Sequence, residues 1–280
     1  MIDALTAPFQ YPFMQRAFLA ALVVGTLCST IGTYVVLRKL SFIGDGIAHA
    51  SFAGIVIAYL RGLDYFVGSA FVAIATALAI GYVNRRGNVS LDTAIGVLFT
   101  GAFALGVFLM SRLPNYSVDL QGFLFGNILA VDARDLVLML ALALLVAALL
   151  VLLYRALLYT SFDPVVAQAS GIRTELVDYA LLVLLALTIV ISIQSVGIVL
   201  VAALLVTPPA AAAQLTRRFT RMLGLSAAIG AACAVLGLYA SYYLHAASGA
   251  TIVLLATLVF FVAMFAGRRF GLGARGARSS

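Results

Sequence analysis

Seven stretches of this chain carry no Asp, Glu, Lys or Arg: 17–37, 46–60, 65–84, 93–111, 136–154, 179–216 and 222–267. A soluble domain cannot hide that much uninterrupted apolar chain, whereas a bilayer needs about 20 apolar residues per helical crossing. The stretch 179–216 is about twice that length, and Gln194, Ser195 and Gly197 supply a polar break near its middle. His245, Ser248 and Gly249 divide 222–267 in the same way. The short stretch 46–60 extends backward through Asp45. Nine helices result, within a range of eight to ten. The predicted fold is therefore all-α, a polytopic integral membrane helical bundle.

Composition excludes the main alternatives. Hydrophobic residues make up 64% of the 280 positions, charged residues 10%, and mean hydropathy is +1.16, against about 45–50% apolar and about 25% charged in soluble domains. The formal charge of +7 comes from Arg and Lys placed singly or in pairs at the ends of apolar stretches. That pattern serves orientation in a membrane and argues against nucleic acid as a partner. Cys28 and Cys233 lie inside apolar stretches and suggest neither a disulfide nor a redox site. The first apolar stretch follows Asp3 and has no A-x-A-like cleavage site, so it is expected to be a retained span.

With the first span running inward, one side collects Arg38, Lys39, Arg85, Arg86, Arg155, Arg173, Arg217, Arg218, Arg221, Arg268, Arg269, Arg275 and Arg278. The other collects Arg16, Arg61, Arg112 and Arg134. This asymmetry places the C-terminus in the cytoplasm. Residues 1–267 form one predicted transmembrane domain, and 268–280 a disordered basic cytoplasmic tail. Segment 113–134 is a candidate for a helix lying at or dipping into the surface, and Pro208-Pro209 should kink or end their helix.

Polar groups at bilayer depth are costly, roughly 2.5–3.5 kcal/mol for an ionisable side chain, which makes them functional candidates. Asp45 and His49, in Gly44-Asp45-Gly46-Ile47-Ala48-His49, are four residues apart and share a helix face. An oxygen and an imidazole nitrogen there make half of a four-ligand divalent site, and a second copy across a two-fold axis would supply the rest. The alternative makes Asp45 an N-cap and His49 a hydrogen-bonded packing residue. Gly46, Ala50 and Gly54 form a small-residue stripe suited to close helix packing.

In Ser161-Phe162-Asp163-Pro164 through Gly171, Asp at the N-cap, Pro at the first position and Gly past the end delimit a short helix on the basic side. It either docks into a soluble partner or lies on the membrane surface. His245 falls in an outer loop, where a histidine is more often incidental than a ligand. Asp64, Asp92, Asp119, Asp132, Asp135 and Asp178 border spans, where solvated or capping roles suffice. The single lysine, Lys39, is not in a P-loop, and no H-E-x-x-H occurs. Transport is the better class, with a membrane scaffold that moves nothing as a further alternative.

The chain resembles the permease subunit of zinc/manganese/iron-type ABC importers. The matching pieces are Tyr34-Val35-Val36-Leu37-Arg38 leading into Gly44-Asp45 and Ala48-His49, Asp92 through Gly96, Leu124 through Leu129, Phe162-Asp163-Pro164 with Ala167 and Gly171, Val196-Gly197 through Pro208, and Ser248 through Ile252. The resemblance implies a type II ABC importer-like homodimer in the bacterial inner membrane, with cytoplasmic ABC ATPase subunits and an extracytoplasmic metal-binding protein. It implies no permanently bound cofactor and no ATPase site of the chain's own. It places Asp45 and His49 on the metal pathway and makes Asp163, Pro164, Ala167 and Gly171 the helix that couples to the ATPase. Where relatives often have an acid and a Pro near the last outer loop, this chain has His245 and Ala247, which bears on any role of His245 in receiving metal. Oxygen and nitrogen ligands without Cys suit Mn²⁺, Fe²⁺ or Zn²⁺ rather than Cu(I). The rival expectation is a stand-alone proton-coupled metal transporter.

Overall fold

The computed structural model describes residues 7–87, 89–112, 126 and 128–269. Asp3, Asp119, most of the 113–134 segment and the tail from 270 onward lie outside the described residues. Within them the α-helices are α1 (Pro12–Leu37), α2 (Ile43–Arg61), α3 (Tyr65–Arg86), α4 (Leu91–Ser111), α5 (Ala133–Leu152), α6 (Tyr154–Phe162), α7 (Pro164–Ala169), α8 (Thr174–Val196), α9 (Ile198–Leu215), α10 (Phe219–Leu244) and α11 (Ser248–Arg269). All but α6 and α7 are long and apolar enough to cross a membrane, nine in total among the described residues. The protein is a multi-pass membrane protein.

Local chemistry sets the helix boundaries. The Asp64 carboxylate accepts from the Phe66 amide at 2.8 Å and caps α3, Ser90 caps α4 through the Thr93 amide, and Asp132 accepts from the Asp135 amide at 2.8 Å at the start of α5. The division of 179–216 falls at one residue, Gly197, whose φ of +80° and ψ of 166° lie outside what a residue with a Cβ adopts readily. Helix α6 was not anticipated: a turn at Leu153 ends α5, and Tyr154 starts a new helix containing Arg155.

The described residues group into two compact units. The first holds α1, the start of α5, α9, α10 and α11; the second holds α2, α3, α4, most of α5, α6, α7 and nearly all of α8.

In the first unit α1 and α10 run antiparallel, with Phe18 against Tyr239 and Tyr34 against Phe219. They touch backbone to backbone where Gly25 meets Gly230; a Cβ added to Gly25 would lie 2.6 Å from the Gly230 oxygen. In lipid, where no water competes, such proximity lets dispersion and buried hydroxyl bonds hold helices together. Ser226 donates to the Ser29 carbonyl at 2.6 Å.

Helix α9 runs unbroken through Pro208 and Pro209, so the prolines do not end it. Each removes an amide, orphaning the carbonyls of Leu204 and Leu205. The Ser29 hydroxyl of α1 donates to the Leu204 oxygen at 3.2 Å. Gly32, one turn on, packs directly against the Leu205 carbonyl and the Pro209 ring. At Leu204 a neighbouring helix thus supplies the donor that the proline took away, the condition under which bilayers tolerate prolines.

In the second unit α2 lies between α3 and α4. Gly54 meets the Gly68 backbone of α3, and Gly106 of α4 meets Phe52 and Ala53. Arg85 of α3 pairs with Asp178 of α8 and stacks over the Tyr179 ring.

Ser29→Ala is expected to lower stability by about 1 kcal/mol, the worth of one buried hydroxyl bond. Gly230→Val, which drives a branched side chain into Ser29 and the Gly25 backbone, is expected to be far more damaging. Thermal unfolding followed by labelling of the buried thiols Cys28 and Cys233 checks both; equal effects of the two substitutions would show that the α1–α10 crossing is not a close backbone contact.

Candidate functional site

Helix α2 starts at Ile43, and its N-cap residue, Phe42, offers no side-chain bond to the free amides. Asp45 is therefore the third helical residue, where a carboxylate is favoured by the partial positive charge of the helix start. It is not the N-cap. His49 follows one turn later. Its Nδ1 lies 2.9 Å from the Asp45 carbonyl oxygen and 3.4 Å from the Asp45 carboxylate. A carbonyl only accepts, so Nδ1 carries a proton; in the neutral ring that leaves the lone pair on Nε2, the form in which imidazole ligates a metal. Two rings of α4 flank the imidazole, Phe99 at 6.0 Å and Phe103 at 5.7 Å between centroids, the latter edge-on.

Exposure marks these two side chains out. Between Ile43 and Ala58 only Asp45, His49, Ile55 and Ile57 are not buried. The side chain of His49 is 25% exposed and that of Asp45 45%. The pair is the polar opening in the buried stretch of this helix. No third His, Cys, Asp or Glu completes a metal-binding group with it among the described residues.

The stripe Gly46, Ala50, Gly54 serves two neighbours. A Cβ on Gly46 would lie 2.8 Å from Ile95 of α4, Gly54 packs on Gly68 and Ser69 of α3, and Ala50 is fully buried. Close packing on both sides fixes the turn that carries Asp45 and His49.

The second segment, α7, is a short helix of six residues, as its flanking residue types predict. The Asp163 carboxylate accepts from the amides of Val165 and Val166, both at 3.0 Å, and Pro164 occupies the first helical position. At the other end Gly171 adopts φ +84°, and the Ile172 amide returns to the Ala167 carbonyl at 3.1 Å. Ala167 is buried, while Phe162, Val165 and Val166 are more than half exposed. A rigidly capped helix thus presents apolar side chains outward.

His245 terminates α10 in a left-handed conformation, φ 51° and ψ 38°. It is exposed and lines a cavity of about 600 Å³ with Phe13, Met14, Leu129, Ser241 and Tyr243. It stands apart from Asp45 and His49 in the chain and belongs to the other compact unit. Sequence reading missed Phe99 and Phe103, whose spacing of four on an apolar helix carries no signal beyond core packing. It also missed Ser29, which the adjacent prolines of α9 foreshadow by leaving carbonyls in need of a donor.

Comparison with known proteins agrees with this architecture. The description of the ABC 3 transport family matches residues 10–267. The manganese transport system membrane protein MntC of Halalkalibacterium halodurans is 46% identical over 255 residues, 91% of this chain and 87% of that protein. MntC of Listeria monocytogenes is 43% identical over 263 residues, 94% of each chain. Among solved structures, PsaBC from Streptococcus pneumoniae in complex with Fab superposes with a TM-score of 0.86 at 35% identity, covering 97% of this chain and 99% of that one. On a match that takes in all nine membrane helices, the chain belongs to the ABC 3 transport family.

Proposed function

We propose that this chain is the membrane permease of an ATP-driven importer of divalent first-row metal ions, with manganese as the foremost substrate. It works in the bacterial cytoplasmic membrane as a homodimer, receives metal from an extracytoplasmic binding protein and is driven by ABC ATPase subunits beneath. The observation that carries the reading is the Asp45–His49 pair, a carboxylate and a Nδ1-protonated imidazole one turn apart, half open on a buried helix. Hard oxygen and borderline nitrogen donors suit Mn²⁺, Fe²⁺ and Zn²⁺. The similar proteins from Halalkalibacterium and Listeria are named for manganese, which favours that ion.

Two donors per chain hold a metal weakly. Four, contributed by two copies across a two-fold axis, hold it long enough to desolvate it and release it again. Transport requires that compromise, since a tight closed site would trap the ion. The capped α7, with Val165 and Val166 turned outward, fits a groove on a soluble partner. Asp163 fixes the first turn of that helix, so a push from the partner moves it as a unit.

Asp45→Ala and His49→Ala are each expected to reduce manganese accumulation by at least about tenfold, the scale on which ligand shells affect metal binding, while the complex still assembles. Normal uptake by both variants would remove the ligand assignment. Asp163→Ala, losing a cap worth about 1 kcal/mol, is expected to weaken ATPase association or uncouple hydrolysis from uptake, measured with the reconstituted complex. In liposomes the chain alone is expected to move no metal down an imposed proton gradient; gradient-driven uptake without ATPase would favour the stand-alone transporter. Uptake from equimolar Mn²⁺, Fe²⁺ and Zn²⁺, resolved by mass spectrometry, reads the substrate directly.

A further inference from the structure

Helix α3 is held near both of its ends, by different partners. Near its start Gly68 lies backbone to backbone on Gly54 of α2 and against the Ala58 methyl. Near its end a Cβ on Gly81 would lie 2.8 Å from Leu182 and 2.9 Å from the Tyr179 ring, both on α8. One turn further along the same face, Arg85 pairs with Asp178, and its guanidinium lies over Tyr179, 5.8 Å from the ring centroid. Between these contacts α3 is continuous and has no proline, so Gly68 and Arg85 are joined by a rod of about 25 Å at about 1.5 Å per residue.

The α8 end of that rod leads directly to the capped helix α7. Asp178 is the fifth residue of α8, and only residues 170–173 separate α8 from α7. That link is itself tied down. The Gly171 amide donates to the Gln168 carbonyl at 3.0 Å, the Ile172 amide to the Ala167 carbonyl at 3.1 Å, and the Val177 amide to the Arg173 carbonyl at 3.2 Å. Helices α2, α3, α7 and α8 all belong to the second unit. A continuous run of bonded and packed groups therefore starts at α7, passes along α3 and ends at Gly54, five residues beyond His49 on α2.

Stability does not account for the Arg85–Asp178 pair. Both side chains are 36% exposed, and an ion pair that open adds little to folding. Register accounts for it better. Apolar helix faces in lipid have no hydrophobic drive toward one another, so the Leu182 contact alone would let α3 slide or turn on α8. A guanidinium held by a carboxylate and laid on an aromatic ring fixes position and angle together, whereas a lysine would supply the charge without the plane. We propose that Arg85 and Asp178 are positioning residues that key α3 to α8, so that a displacement of α7 reaches the Asp45–His49 pair through α3. The inference rests on reading the chain as an ATP-driven permease with α7 as its ATPase-facing helix.

The test uses the full complex in liposomes, with its ATPase and binding-protein partners, and reads the Mn²⁺ moved per ATP hydrolysed. Arg85→Gln and Asp178→Asn are each expected to lower that ratio at least about threefold, the scale on which residues between coupled sites act. The ATPase stays bound, ATP is still hydrolysed, and Mn²⁺ binding to the nucleotide-free complex is unchanged. Because both residues act through one contact, the double variant is expected to lose no more than the worse single. Arg85→Asp combined with Asp178→Arg is expected to recover most of the loss. Arg86→Gln serves as control, since that guanidinium lies over Tyr82 of its own helix, and its ratio is expected to stay unchanged. An unaltered ratio in Arg85→Gln, additive losses in the double variant, or an equal loss in Arg86→Gln overturns the proposal, whether or not the charge-swapped protein folds. So does a loss that comes only with loss of the ATPase or of bound Mn²⁺, which would make the pair merely structural. If the unaltered complex hydrolyses ATP without moving metal, the reading as a permease fails first and takes this inference with it.

Discussion

Inside a bilayer no water stands ready to bond a stray amide or carbonyl, and each unmet group costs several kcal/mol. The architecture follows from that shortage. Among the described residues nine stretches satisfy themselves as helices, and at one exception, the Leu204 carbonyl, a side chain from a neighbour supplies the donor. The prolines of α9 free two carbonyls; α1 bonds one through the Ser29 hydroxyl and packs the bare backbone of Gly32 against the other. The same helix presents Gly25 to Gly230 of α10, so α1 can approach two partners closely only because its small residues lie on the faces that meet them. Ser29 is also a joint between three helices, since its own carbonyl takes the Ser226 hydroxyl.

How far the sequence could be read depended on the range of the interaction. Charge and apolar length are local quantities, so the nine spans and the break at Gly197 were legible. Capping is local as well, and the Asp163-Pro164 start and Gly171 stop were visible as residue types before any coordinate. The i, i+4 relation of Asp45 and His49 follows from helix geometry alone. Which helix each face meets is not local. Gly46 and Gly54, one stripe in the sequence, divide between α4 and α3. The Phe99 and Phe103 rings beside His49 could not be told from ordinary apolar packing. Helix α6 escaped because a single turn at Leu153 separates two stretches that are both helical in composition.

The candidate site combines rigidity with incompleteness. Its helix is pinned on two sides at glycines, its imidazole is held by its own backbone through Nδ1, and aromatic rings close one side. What is left open is one carboxylate and one nitrogen. On the proposed function, a rigid half-site would discriminate through the geometry with which two copies are brought together, so small shifts between copies would become large changes in affinity. A site completed by one flexible chain would not respond so steeply.

The missing rungs in α9 have a mechanical side. An ordinary transmembrane helix resists bending because curvature stretches main-chain bonds that lipid cannot replace. In α9 two of those bonds are absent from the start, and a single hydroxyl from α1 stands in for one of them. Flexing there breaks one side-chain contact instead of a pair of backbone rungs, so the helix comes with its joint already cut, and α1 acts as the catch that holds it closed.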